Sequence, residues 1–101
     1  MTKFELVHIT KVKPLEERWV RLWFTDGAIK DVNLAPVLRS GVLAPIGKDR
    51  ALFEQVRVNP RSRTIEWPGE IDLDPIVLYG KFEPASGIRL ERRTVQEPAA
   101  A

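Results

Sequence analysis

Four carboxylates in residues 64–80 are the side chains with the clearest capacity for chemistry: Glu66, Glu70, Asp72 and Asp74. Oxygen ligands of this kind suit Mg²⁺ and Ca²⁺. The segment nevertheless lacks the Asp-x-Asp-x-Asp-Gly loop of a calcium site. Asp74 also precedes Pro75, which predicts that it caps a helix. We therefore expect these carboxylates to be structural or solvated, with no metal bound.

Nucleophilic and histidine-based chemistry has little support in this sequence. His8 is the single histidine, and the serines Ser40, Ser62 and Ser86 all lie in turn-like or tail segments. A metal site normally needs several histidines or cysteines, and a catalytic triad needs a serine beside a histidine. The six glycines occur singly at turns rather than in a phosphate-binding loop. We expect no catalytic residues, no cofactor and no enzymatic activity.

Basic residues cluster at Arg57, Arg61 and Arg63, with Lys48 and Arg50 nearby in the sequence. Such a cluster is the footprint of a nucleic-acid contact, but a solvated surface explains it more simply. Proteins that bind single strands place aromatic side chains among the basic ones, and none is interleaved here. A nucleic-acid contact through these three arginines is therefore the alternative function rather than the first one.

Two tryptophans share one face of a predicted strand at residues 19–24. Alternation puts Val20, Leu22 and Phe24 on one side and Trp19, Arg21 and Trp23 on the other. If the short helices cover the second side, its tryptophans belong to the core. If they do not, the side is a patch for a partner protein, because tryptophan is enriched at binding hot spots. Trp67, in contrast, is predicted to anchor the core.

Composition and charge indicate one ordinary globular domain. The chain has 101 residues, a net charge of +2 and no cysteine. No apolar run approaches the ~20 residues of a membrane span, and Glu5 interrupts any signal-peptide core, so we expect a cytoplasmic protein. Residues 1–63 carry 12 basic and 7 acidic groups, whereas residues 64–80 carry four acidic groups and no basic one. This mild dipole does not resemble the clustered basic face of a nucleic-acid-binding protein.

The pattern of apolar residues and breakers predicts an α+β domain, mostly antiparallel sheet with about five strands and two or three short helices. The predicted strands are 4–12, 19–24, 28–33, 56–59 and 64–67, and the predicted helical segments are 34–39, 48–55 and one that starts at Asp74. Residues 42–47 are expected to form an apolar loop tucked under the sheet. The domain is expected to span residues 1–82. Residues 83–101 would be a partly disordered C-terminal extension, with a small strand possible at 87–92.

Two registers are open for the hairpin around Thr25-Asp26-Gly27. A two-residue loop pairs Phe24 with Ile29, whereas a three-residue loop with Gly27 in a bulge pairs Phe24 with Ala28. The second register also places Arg21 opposite Asp31, an opposite-charge pair worth ~0.2–1 kcal/mol. We therefore prefer the second. Further along, Pro68-Gly69 predicts a type II turn.

Several of these residues form a pattern that resembles the small prokaryotic family called domain of unknown function 2442. The resemblance covers about residues 4–80 and is carried by the Phe24-to-Gly27 hairpin, Trp67-Pro68-Gly69, Asp72-Leu73, Pro75 and Leu78-Tyr79. It implies a small α+β fold without an assigned activity. Some members carry an added helix-turn-helix domain, and some lie beside a second small protein as toxin–antitoxin pairs do. The residues after Phe82 are too few to build that extra domain, which argues against DNA binding.

From these observations we expect a non-enzymatic binding module whose partner is another protein or a second copy of the chain. The candidate interface is Trp19, Arg21 and Trp23, or else an exposed strand edge. The family resemblance implies an antitoxin-like half of a gene pair. The alternative is a nucleic-acid accessory protein that uses Arg57, Arg61 and Arg63.

Overall fold

The computed structural model describes residues 7–39, 41–69, 71–73, 78–79 and 90–95. These residues form two antiparallel sheets and short helices around one core, which confirms the α+β class. The elements are β1 (Ile9–Pro14), β2 (Trp19–Phe24), β3 (Ile29–Asn33), a 3₁₀ turn (Gly41–Leu43), α1 (Ala44–Lys48), α2 (Arg50–Phe53), β4 (Arg57–Val58), β5 (Ile65–Trp67), β6 (Ile71–Asp72) and β7 (Arg92–Thr94). One sheet has the order β1-β2-β3-β7 and the other the order β4-β5-β6. The described part of the chain thus has seven strands rather than about five.

The β2–β3 hairpin adopts the register in which Arg21 lies opposite Asp31. Gly27 has a φ of 91°, which a residue with a Cβ rarely adopts, and the Phe24 N–H donates to the Ala28 carbonyl. The Asp26 carboxylate accepts the Ala28 N–H at 2.9 Å. The preferred three-residue loop is therefore confirmed, because glycine and the two charged residues favour the same pairing.

β1 differs from the predicted strand in its bounds, and its pairing with β2 is irregular. It runs from Ile9 to Pro14 rather than over 4–12, of which residues 4–6 lie outside the described part. The register shifts between Ile9 and Lys11, so that Lys11 lies opposite Trp23. A bulge of this kind inserts one residue and reverses the alternation beyond it. The lysines of β1 therefore share a face with the tryptophans of β2.

The strand β7 joins the same sheet from far along the sequence. Arg92–Thr94 pairs with β3, and the Val95 N–H donates to the Ile29 carbonyl at 2.8 Å. Of the small strand considered at 87–92, only Arg92 lies in β7, residues 90–91 are not in a strand, and residues 87–89 lie outside the described part. Arg92–Thr94, within the predicted extension at 83–101, thus belongs to the sheet.

The apolar segment 42–47 is a 3₁₀ turn followed by α1, so the prediction of a loop was wrong. Pro45 stands in the first turn of α1, where its missing N–H removes no helix hydrogen bond. Ile46 is buried, but Val42 is 75% exposed rather than tucked under the sheet. A Cβ on Gly47 would overlap the carbonyl oxygen of Leu38, so the close approach of α1 to the preceding turn requires glycine here.

The second helix and the second sheet meet at Trp67. Asp49 caps α2 by accepting the Ala51 N–H at 3.0 Å. Trp67 is fully buried, and its indole N–H donates to the Phe53 carbonyl at 3.0 Å. Gly69 has a φ of 98°, as the predicted turn requires, and the chain returns as β6, which was not predicted. The helix start predicted at Asp74-Pro75 lies outside the described residues.

The core lies between the two sheets and the helices. On the four-stranded sheet it includes Val20, Leu22, Phe24 and Val32, and it continues through Ile46, Phe53, Ile65, Trp67 and Leu78. We call this side of the four-stranded sheet the inner face. Among the described residues, no helix is long and apolar enough to cross a membrane.

Candidate interaction surface

The opposite side of the four-stranded sheet carries all three predicted interface residues. Strand pairing places them on one face, here called the outer face, which consists of Lys11, Lys13, Trp19, Arg21, Trp23, Ile29, Asp31, Asn33 and Arg93. Val20, Leu22 and Phe24 are buried on the inner face, whereas Trp19, Arg21 and Trp23 are half-buried. Neither Trp19 nor Trp23 is part of the described core. Within the described part of the chain, α1 and α2 contribute Ile46 and Phe53 to the core on the other side of the sheet, and the two tryptophans lie outside that core.

Cations cover the two tryptophan rings of the outer face. The Lys11 ammonium lies 4.7 Å from the centroid of the Trp23 ring, and the Arg93 guanidinium carbon lies 4.1 Å from that of Trp19. Contacts of this type are worth about 0.5–1 kcal/mol at exposed sites. The rings are therefore held in place by basic side chains that themselves face solvent.

Arg21 neutralises the buried carboxylate of Asp31 at the centre of the face. Its Nε and one terminal nitrogen donate to the two carboxylate oxygens at 2.8 and 3.1 Å. Asp31 is 5% exposed. Arg93 approaches the same carboxylate at 3.7 Å from the other side. A two-point arginine–carboxylate pair fixes orientation as well as charge, so it holds β2 and β3 in register beneath the tryptophans.

A pocket of about 550 Å³ opens at the Trp19 end of the outer face. Its lining residues are Pro14, Leu15, Glu16, Glu17, Trp19, Arg21, Asp31, Arg50 and Arg93. Arg50 donates to the carbonyls of Leu15 and Glu17, and its guanidinium lies 5.1 Å from the Phe53 ring centroid. One side chain of α2 thus holds the β1–β2 turn in place and shapes the wall of the pocket.

The arginines of the alternative function lie on the other sheet. Arg57 is in β4, and Arg61 and Arg63 are exposed in the turn before β5. Arg57 pairs with Glu66 at 2.9 Å, and Asn59 donates to the same carboxylate at 2.8 Å. A second pocket of about 550 Å³ is lined by Arg57, Val58, Asn59, Pro60, Arg61 and Glu66, with no aromatic residue among them.

Glu66 is the carboxylate of residues 64–80 whose role the structure explains most fully. The hydrogen bond from Asn59 lowers the pKa of Glu66 below its usual range. Burial acts in the opposite direction and raises this pKa, but the hydrogen bond and the charge of Arg57 lower it further. Asp72 is exposed opposite Glu66, and Glu70 and Asp74 lie outside the described residues. Within the described ranges, no group of three His, Cys, Asp or Glu side chains is placed to hold a metal ion.

A polar contact that the sequence pattern did not predict joins the β2–β3 turn to the helical residues 78–79. The Tyr79 hydroxyl donates to the Asp26 carboxylate, and the Tyr79 ring packs edge-on against Phe24 with centroids 4.8 Å apart. Burial raises the pKa of Asp26, but hydrogen bonds from Tyr79 and the Ala28 N–H outweigh it and lower the pKa overall. The same bond raises the pKa of Tyr79. The contact fixes the hairpin that carries the outer face.

Comparison with known proteins identifies the family but not an activity. The family described as "Protein of unknown function (DUF2442)" matches residues 9–84. No curated protein and no solved structure matches the chain significantly. The match includes β1 to β6, and therefore the turn at Gly27 and the segment around Trp67 that carried the resemblance. The chain belongs to the DUF2442 family of proteins of unknown function.

Proposed function

We propose that the chain is a non-enzymatic binding module that docks a partner protein on its outer face. The observation that carries this proposal is the combination of two half-buried tryptophans with basic side chains, on a sheet face that no described helix covers. Tryptophan and arginine are the residues most enriched at protein-binding hot spots. The polar groups at the centre of the face pair with one another, which suits a preformed surface rather than a reaction site.

The face is a better candidate than the strand edges. The edge strand β1 carries Lys11, Lys13 and Pro14, and the edge strand β7 carries Arg92 and Arg93. Charged side chains and proline are common means of preventing edge-to-edge pairing. We therefore place the partner across the tryptophan side chains rather than alongside the backbone of an edge.

The partner we favour is a small protein, with this chain as the antitoxin-like half of a pair. That part of the proposal rests on the family resemblance and not on a contact. A second copy of the chain is the other protein partner considered, and light scattering over a range of concentrations separates the two. A mass that stays monomeric at every concentration removes the second-copy version.

The experiment that tests the proposal is affinity purification of the tagged chain from its native host, followed by titration of the partner identified. The test variant is Trp23→Ala, which removes one ring of the outer face. The matched control is Arg61→Glu, which changes an exposed charge on the other sheet. The proposal expects weaker partner binding for the first variant and unchanged binding for the second. If the partner binds wild type and Trp23→Ala with equal affinity, the proposal is contradicted.

The alternative of a nucleic-acid accessory protein remains open for Arg57, Arg61 and Arg63. Two of these arginines are exposed in one turn, which favours it, whereas the Arg57 guanidinium is already engaged by Glu66. Electrophoretic mobility shift at two salt concentrations tests it, because phosphate contacts weaken steeply with salt. Loss of nucleic-acid binding in Arg61→Glu but not in Trp23→Ala would support this alternative over the first proposal.

A further inference from the structure

The outer face carries positive charge that the described residues do not neutralise. Lys11 and Lys13 lie side by side in β1, and no carboxylate in the described part of the chain is within ion-pair distance of either. Asp31, the carboxylate at the centre of the face, already binds Arg21 through both oxygens, and the Glu91 carboxylate at the margin accepts a hydrogen bond from Asn33. Arg93 reaches Asp31 only at 3.7 Å, and the Arg93 side chain is 63% exposed. Three cations are therefore available to an acidic ligand.

Two of these cations are held in place before any ligand arrives. The contacts of Lys11 with Trp23 and of Arg93 with Trp19 restrict where each charge can lie. A ligand that pairs with them loses less side-chain entropy than one that must order flexible lysines and arginines. The aromatic rings thus act as supports for the charged groups.

The dimensions of the face favour a short segment over a broad surface. Trp19 and Trp23 are four residues apart on one strand, about 13 Å, and four strands span about 15 Å, so the backbone between the two rings outlines roughly 200 Å² in projection. A stable interface between two folded proteins buries about 800 Å² of accessible surface on each partner, and this face alone supplies only part of that area. The adjoining pocket of about 550 Å³ adds depth at one end, where Pro14, Leu15 and Trp19 offer apolar surface.

We infer that the occupant of the outer face is a short acidic segment of the partner protein. Its carboxylates pair with Lys11, Lys13 and Arg93, and one apolar side chain enters the pocket beside Trp19. This inference rests on the proposed function and specifies its partner. Polypeptide fits better than nucleic acid because the cations already occupy a side of each ring on which a base would stack. Glu16 and Glu17 line the pocket, so the group that enters it is an apolar side chain rather than an acidic one.

The test uses the three tryptophan indole N–H signals of the ¹⁵N-labelled full chain. The probes are a peptide of alternating Glu and Leu of about eight residues, the same peptide with Lys in place of Glu, and an oligothymidylate of about eight nucleotides. The inference expects the Glu peptide to shift the signals of Trp19 and Trp23. Trp67 is the internal reference, because its indole is buried and bonded to Phe53.

Charge dependence is measured on the same titration. The double variant Lys11→Glu/Lys13→Glu should bind the Glu peptide about tenfold more weakly, and raising salt from about 50 to about 500 mM should also weaken it. Arg61→Glu, with the same type of charge change on the other sheet, should bind like wild type. Because Lys11 and Lys13 are exposed in an edge strand, the double variant is expected to keep the wild-type spectrum elsewhere.

Three results would overturn the inference. They are a Glu peptide that leaves Trp19 and Trp23 unshifted, a Lys peptide that binds as well as the Glu peptide, and an oligothymidylate that shifts these signals at lower concentration than the Glu peptide. Failure of the inference is separable from failure of the proposed function. A captured partner that needs Trp23 but binds independently of salt and of Lys11 and Lys13 keeps the function and rejects the acidic segment.

Discussion

Each of the two sheets contains a cross-strand pair between an arginine and a buried carboxylate, and the two pairs differ in their surroundings. Arg21 binds Asp31 through two hydrogen bonds and is 32% exposed, whereas Arg57 binds Glu66 through one and is 69% exposed. Asp31 and Glu66 are almost equally buried, being 5% and 6% exposed. Asn59 also binds Glu66, so the second carboxylate does not depend on its arginine alone.

The tryptophans of the two sheets show the same contrast. Trp67 of β5 lies in the core with its indole N–H satisfied by a backbone carbonyl, whereas Trp19 and Trp23 of β2 lie under solvent-facing cations. The three-stranded sheet therefore uses its large aromatic residue for stability. The four-stranded sheet leaves its own two half-buried, outside the described core, and this is why we place the candidate interface there.

The largest expected effect separates these two classes of tryptophan. Trp67→Ala should lower the free energy of unfolding by about 3–5 kcal/mol, because it removes a fully buried ring and leaves a cavity. Trp23→Ala should lower it by about 0.5–1 kcal/mol, the value of an exposed cation–π contact. Urea denaturation followed by circular dichroism measures both. Similar losses would show that Trp23 is a core residue.

The next effect compares the two arginines. Arg21→Ala should lower the free energy of unfolding by about 1–3 kcal/mol, since the buried Asp31 carboxylate loses its main hydrogen-bond donors. Arg57→Ala should cost less, because Asn59 continues to donate to Glu66. Thermal denaturation of the two variants shows which one loses more stability. A larger loss in Arg57→Ala than in Arg21→Ala would contradict this prediction.

A smaller effect is expected from pH, through Glu66. Its pKa is lower in the folded chain than its ordinary value of 4.5, so ionised Glu66 stabilises the fold. That stabilisation is complete above about pH 4.5 and is lost as the pH falls through the folded-state pKa. The stability advantage of wild type over Glu66→Gln should therefore shrink on acidification, as measured by thermal midpoints at neutral and acidic pH. An advantage that grows instead would contradict the direction of the shift.

The smallest effects are expected from the exposed cations that the binding tests change. Lys13→Ala and Arg61→Ala should each change the free energy of unfolding by less than about 0.5 kcal/mol, because both side chains are exposed and neither forms an ion pair among the described residues. Urea midpoints check this. A large loss of stability in Lys13→Ala would mean that weaker peptide binding by Lys13 variants reflects partial unfolding as well as the lost charge.

Local signals in the sequence predicted much of the framework. Gly27 and the opposite charges of Arg21 and Asp31 were sufficient for the hairpin register, and Pro68-Gly69 for the turn after Trp67. The alternation in residues 19–24 separated inner from outer side chains correctly. Each of these features depends on residues that are neighbours in the chain or paired across a single tight turn.

The chemical character of the outer face was not predictable in the same way. Lys11 faces Trp23 because of a bulge for which the sequence has no local signal. Arg93 covers Trp19 from a strand more than seventy residues away, whose position depends on the available edge of β3. Residues 57–63 contain no aromatic side chain among their arginines, whereas the four-stranded sheet brings basic and aromatic side chains together on the outer face.

The position of β7 also has a consequence for biosynthesis. A ribosome makes the chain from its N-terminus, so β1, β2 and β3 can form a sheet while Arg92–Thr94 has yet to be added. Until then the edge of β3 is unpaired and Trp19 lacks the cation that covers it. The outer face is therefore completed only after the other three strands of its sheet have been made, and a product truncated before residue 92 would present the tryptophans without Arg93.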